Sequence, residues 1–207
     1  MDPAWAAQTG EAVAQKVLRY RRDAAGWRVC RENESSLIDA GGSASLLCSR
    51  YRGEGVVWGT PEEVWDCVKP VAGGLREKWD ENVASFEIVE SITDTLSVSR
   101  TTTPSAAMRL ISPRDFVDLV LVILPGPAPF CNLLSWLFNP LSKAYFKHKC
   151  GCYGRVLPRE PDKARLVTFF HTDLSGLLPR TVVDAFFPRS MAAFYANLRA
   201  AVRSARH

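Results

Sequence analysis

The chain has 207 residues, of which 47% are hydrophobic and 23% charged, the balance of one folded domain. At that length folding buries roughly 70% of the surface of the unfolded chain, so a small disulfide-stapled scaffold is excluded. Its 26 Lys and Arg against 22 Asp and Glu leave a formal charge of +4, too weak to mark a nucleic-acid binder and enough for mild attraction to anionic membranes.

The opening Met1-Asp2-Pro3-Ala4-Trp5 has no basic stretch followed by an apolar run, so no secretory signal is read and the expected location is the cytosol. From Pro3 to about Ala25, Val13, Val17 and Tyr20 recur at helical spacing and predict an amphipathic helix. Trp27 and Val29 begin an extended segment. Glu32 to Ser49 is polar, small and Gly-containing, and reads as a loop or a weakly specified strand. Gly53 to Trp58 resembles a short strand. Thr60-Pro61-Glu62-Glu63 is a helix start, with Thr as N-cap, Pro at the first helical position and Glu63 closing a capping box; this helix runs to about Val68 and ends before Pro70. Phe86 to Ile92 and Thr95 to Thr103 alternate as two strands joined at Thr93-Asp94, and Phe116 to Leu124 and Leu166 to Thr172 read as further strands. Pro179 to Arg206 places Val183, Phe187, Met191, Phe194, Leu198 and Val202 on one stripe of a long helix. The order is α+β.

Between Asp118 and Lys143 lie 24 uncharged residues, long enough to cross a bilayer. Pro125, Pro127 and Pro129 oppose a spanning helix because each removes a backbone donor that lipid cannot replace. The six cysteines are scattered and read as free thiols in a reducing compartment; Cys150-Gly151-Cys152, with only His148 nearby, reads as a structural loop and not as a zinc site. No GxSxG, Walker, GxGxxG or HExxH pattern is present. His171, inside an apolar run, is the least poor candidate for an enzyme site and is read as structural. Weight therefore shifts from enzyme to binding protein, with six Trp, ten Phe and the mixed segment Trp79-Asp80-Glu81-Asn82-Val83 suited to a ligand pocket.

Trp65-Asp66, Lys78-Trp79-Asp80-Glu81-Asn82-Val83, Ile111-Ser112-Pro113-Arg114-Asp115-Phe116-Val117, Leu166 through Pro179, Phe187-Pro188-Arg189-Ser190-Met191 and Phe194-Tyr195-Ala196-Asn197-Leu198 resemble, in this order and over nearly the whole chain, a START domain of the small single-domain sterol-carrier subgroup. The resemblance implies one domain over residues 1–207 with a helix-grip fold, a curved antiparallel sheet around a hydrophobic tunnel closed by the C-terminal helix. It further implies a monomer without cofactor, metal or catalysis that binds a sterol or bile acid and carries it between membranes, touching their surfaces transiently. Segments 32–49 and 123–149 depart from the family's usual text, which leaves a disrupted sheet at 123–149 open.

Some members of that family set an acid and an arginine on neighbouring strands; the matching positions here are Thr101 and Val120, so that charge pair is missing. Hydroxyls at Ser99, Thr101 and Thr103 stand in as ligand partners. Alternation puts them opposite Leu96, Val98 and Arg100, and either face is open as the water side. Trp79, Phe116, Val120, Phe187, Met191 and Phe194 are the expected apolar contacts, and Arg76 or Arg100 the partner of an acidic ligand. Two other readings stay open: an interfacial protein through 119–142 with the basic flank Lys143, Lys147 and Lys149, and an enzyme using His171.

Overall fold

A computed structural model of the chain describes residues 1–22, 26–34, 36–41, 49–106, 112–122, 149–157, 160–172 and 180–206. Chain order is α1 (Pro3–Arg22), β1 (Trp27–Glu32), β2 (Ser36–Gly41), β3 (Ser49–Trp58), α2 (Pro61–Val68), α3 (Arg76–Trp79), β4 (Ser85–Thr93), β5 (Leu96–Thr103), β6 (Arg114–Leu121), β7 (Lys149–Leu157), β8 (Glu160–Thr172) and α4 (Arg180–Ala205). The described strands make two antiparallel sheets, β1-β2-β3-β8-β7 and β4-β5-β6. This is the α+β helix-grip arrangement, with the long C-terminal helix laid on the larger sheet.

Helix α1 crosses one side of both sheets. Ala6 packs with Leu96, Val98 and Leu119, while Ala14 packs with Val167 and Phe169. The closest approach is made by Ala6, Gly10 and Ala14, four residues apart, and a Cβ on Gly10 would lie 3.2 Å from Leu121. Val13 and Tyr20 flank this seam, half-buried. The small residues let the helix backbone come down onto the sheet, so the contact stripe is Ala/Gly instead of the expected Val and Tyr.

The opposite side of the larger sheet takes α4 and α2. Tyr195, Leu198 and Val202 are fully buried against Ile38, Val57, Ala164 and Leu166, with Val64, Cys67 and Val68 of α2 completing the cluster. Gly53 faces α4 so closely that a Cβ there would meet Met191, Thr168 and Tyr195 at 2.8 Å each. That crowding explains a strand with glycine in its interior, which intrinsic preference disfavours. Helix α2 carries the expected capping box. Thr60 Oγ1 accepts from the Glu63 N–H, and the Glu63 carboxylate accepts from the Thr60 N–H.

Of the loop or weakly specified strand read for 32–49, the strand alternative holds over Ser36–Gly41: β2 pairs along its length with β3, and Ile38 and Asp39 are buried on its two faces. Two expectations are corrected. Cys150-Gly151-Cys152 is strand, paired in register with Phe170, Phe169 and Thr168, because the neighbouring β8 supplies the hydrogen-bonding edge that glycine-rich sequence alone does not announce. The hairpin turn sits at Asp94-Thr95, one residue later than expected. Of the uncharged stretch 119–142, Leu119–Leu121 end β6; 123–142, with the membrane and 123–149 readings that rest on them, lie outside the described residues. Among the described residues no helix is long and apolar enough to cross a membrane.

Candidate functional site

Because α1 covers the Leu96, Val98 and Leu119 side of the small sheet, alternation turns the other residues to the side away from it. Register builds that face in rows. Phe86, Thr101 and Phe116 form one, Ile88, Ser99 and Asp118 the next, and Ser91, Ser97 and Val120 the third. The hydroxyl face is therefore not the water side: Ser99 and Asp118 are 0% exposed and Val120 is 2% exposed. Thr103 accepts from the Arg114 N–H at 3.2 Å. Thr101 is half-buried, and the Ser99 hydroxyl is buried with no hydrogen-bond partner among the described residues. Arg100 lies on the α1 side, paired with Glu87 and Asp115, whose hydrogen bonds raise its pKa further.

The remaining sequence-predicted residues gather on α4 and α3. The Trp79 indole N–H donates to the Cys67 carbonyl at 2.9 Å, and its ring lies 5.2 Å from that of Phe194. Arg76 Nε reaches the Asp80 carboxylate at 3.0 Å, a carboxylate that also accepts from the Asn82 backbone; Ser190 of α4 donates to Asn82 Oδ1 at 2.7 Å. Phe187 stacks on Tyr51 at 5.3 Å, and the Tyr51 hydroxyl donates to Asp184 at 2.7 Å. Met191 and Phe194 flank the buried cluster around Tyr195. The chosen residues thus form two groups: Ser99, Thr101, Thr103, Phe116 and Val120 on one face of the small sheet, and Arg76, Trp79, Phe187, Met191 and Phe194 around α4. Val122, just past β6, packs into the α4 cluster and links the two.

Sequence reasoning passed over Asp118, Tyr51 and Tyr195. Asp118 sits in a β-branched run where a lone acid reads as an exposed residue; only its register opposite Ser99 exposes the pairing. Among the described residues no group of His, Cys, Asp and Glu is arranged to hold a metal ion. Burial pushes the Cys67 thiol pKa up, away from reactive thiolate character. The His171 backbone pairs with Arg50 and Lys149 in mid-sheet.

Glu63 also ties the end of α4 to α2. Arg206 Nε lies 3.0 Å from its carboxylate, and this hydrogen bond, with that from Thr60, holds the Glu63 pKa below the ordinary carboxylate range. A depressed folded-state pKa adds stability that is present above the unfolded value of about 4.3 and lost as pH falls through the lower folded value. The melting-temperature gap between wild type and Glu63→Gln should therefore be widest near neutral pH and shrink below about pH 4. A gap independent of pH would show that the pair contributes nothing through ionisation.

Comparison with known proteins gives three findings. The START domain profile matches residues 7–122. StAR-related lipid transfer protein 5 of Mus musculus is 60% identical over 213 residues, spanning 100% of both chains, and the Homo sapiens protein of that name is 59% identical over 209 residues, 98% of each. The solved structure of human StAR-related lipid transfer protein 5 superposes with a TM-score of 0.86 at 56% identity, covering 99% of each chain.

Proposed function

The chain belongs to the family of START domains, which are lipid-transfer modules, and from that premise we propose that it binds one sterol or bile acid noncovalently and carries it between membranes as a cytosolic monomer, without catalysis. The ligand lies on the face of β5 and β6 turned away from α1. Its hydroxyl meets Ser99, with Thr101 and Thr103 beside it; Phe116 and Val120 contact its rings, Phe187, Met191, Phe194 and Trp79 supply the wall on the α4 side, and Arg76 receives an acidic tail. Residues 1–207 act as one domain.

The observation that carries this reading is the fully buried Ser99 hydroxyl, set in register between Ile88 and Asp118 and without a hydrogen-bond partner among the described residues. Buried hydroxyls are nearly always hydrogen-bonded, and leaving one unmet costs about 1–3 kcal/mol. A ligand oxygen removes that cost. The rest of the affinity is apolar: sheltering ~27 sterol carbons at ~0.8 kcal/mol each is worth roughly 20 kcal/mol relative to water. A membrane shelters them as well, so exchange is reversible. Titration of the purified chain with a fluorescent sterol and, separately, a bile acid should give saturable 1:1 binding of at least one. Absence of saturable binding by both would sink the proposal.

A further inference from the structure

Asp118 of β6 is 0% exposed, yet it belongs to none of the hydrophobic clusters that hold the sheets to their helices. Mid-strand is a costly place for it: strands disfavour Asp, and a buried carboxyl group gives up its water. Its same-face neighbours along β6 are the apolar Phe116 and Val120, and its register partner across the sheet is Ser99. The other acid of the strand, Asp115, is on the α1 side, exposed and paired with Arg100. Strand β6 therefore keeps one acid in water beside a cation and turns the other onto the face proposed to hold the ligand.

Directly opposed residues of an antiparallel pair hold their Cβ atoms about 4.5–5.5 Å apart, which puts Ser99 and Asp118 within reach of each other. They do not bond: the Ser99 hydroxyl is buried without a hydrogen-bond partner among the described residues. A single oxygen set between the two meets both. Ser99 donates to it, and its own proton goes to Asp118. A carboxyl group offers about four acceptor sites when ionised and keeps some when protonated, so contacts that Asp118 makes elsewhere leave room for a ligand proton. Only a group that accepts and donates at one atom fills this place, and a hydroxyl is the simplest such group. A ketone oxygen serves Ser99 and brings Asp118 no proton.

We propose that Asp118 is a specificity-determining residue of the ligand site: it accepts the proton of the ligand hydroxyl held by Ser99, and so selects hydroxysteroids over their keto counterparts. The inference rests on the carrier reading and deepens it. It also sets the direction of the ligand, whose hydroxyl end lodges against the row of Ile88, Ser99 and Asp118. A site built to hydrogen-bond a hydroxyl rejects analogues without one more strongly than an apolar pocket rejects a change of shape, because its buried polar group is left unmet.

The test uses the full chain, titrated with a sterol and with the same sterol oxidised to its ketone, or with the matching bile-acid pair if only bile acids bind. Leaving one buried group unmet corresponds to about a tenfold loss or more, so wild type should bind the hydroxy compound at least about tenfold more tightly. Asp118→Val should weaken the hydroxy compound about tenfold and leave the keto compound within about threefold, which removes the preference. Asp118→Asn, nearly isosteric and able to donate as well as accept, should hold the hydroxy compound within about threefold and bind the keto compound about as tightly. Asp115→Asn, on the other face, should keep the wild-type preference. Equal binding of the two compounds by wild type overturns the inference while the carrier reading stands, as does a wild-type preference retained in both Asp118 variants. If neither sterols nor bile acids bind, the carrier reading fails and the inference falls with it.

Discussion

Replacing Tyr195 by alanine should lower the melting temperature by about 10 °C or more and loosen α4 from the sheet. Tyr195 is 0% exposed. Its hydroxyl lies 3.0 Å from Thr168 Oγ1 and donates to the Leu166 carbonyl at 3.3 Å, and its ring edge meets Phe194 at 5.5 Å. Gly53 on β3 leaves the space its ring occupies. Truncating a buried aromatic costs about 3–5 kcal/mol through lost burial and the cavity left behind, and in a chain of this size each kcal/mol moves the midpoint by about 2–4 °C. Tyr195→Phe keeps the ring and loses only the hydroxyl's bonds, so its cost should be about 0.5–1.5 kcal/mol. Calorimetry on the three proteins checks this. A Tyr195→Ala midpoint within about 2 °C of wild type would mean that the contact does not anchor the helix.

Ser99→Ala should separate stability from binding. In the ligand-free protein the substitution removes a buried hydroxyl that no described group satisfies, so the melting temperature should stay level or rise slightly. Bound ligand loses its hydrogen-bond partner in a dry site, and the dissociation constant for a fluorescent sterol should rise about tenfold, the equivalent of about 1.4 kcal/mol. Loss of stability with unchanged affinity would mark Ser99 as a structural residue satisfied within the protein. A sterol analogue without its hydroxyl should bind wild type and Ser99→Ala alike.

Much of the architecture was readable without coordinates, for local reasons. The Thr60 to Glu63 capping box is complete within four residues and occurs as expected. The β4 and β5 alternation correctly set Ser99, Thr101 and Thr103 opposite Leu96, Val98 and Arg100. Elements carried by distant partners were harder to read. Gly53 and Gly55 weaken the strand signal of β3, whose ten residues are held by pairing with β2 and β8, far away in sequence. Strand β7 pairs with β8, its neighbour in sequence, and there it is Gly151 and Gly154 that weaken the local strand signal. In α4 the hydrophobic stripe was visible, but half of it proved only partly buried, because Tyr195 and Ala192 take the closest positions against the sheet.

Composition, patterning and caps determined one α+β chain with a long C-terminal helix, no recognisable catalytic motif and a hydroxyl-bearing strand, since each is a property of neighbours in sequence. The tertiary structure alone decided which face those hydroxyls turn to. Helix α1 occupies the Leu96 and Val98 side, so Ser99 is enclosed on the other beside Asp118. It also decided that Arg28 and Arg31 share a face, because one bulge shifts the register between them. Alternation is periodic, but which side is buried depends on what packs there, and a single inserted residue reverses everything beyond it.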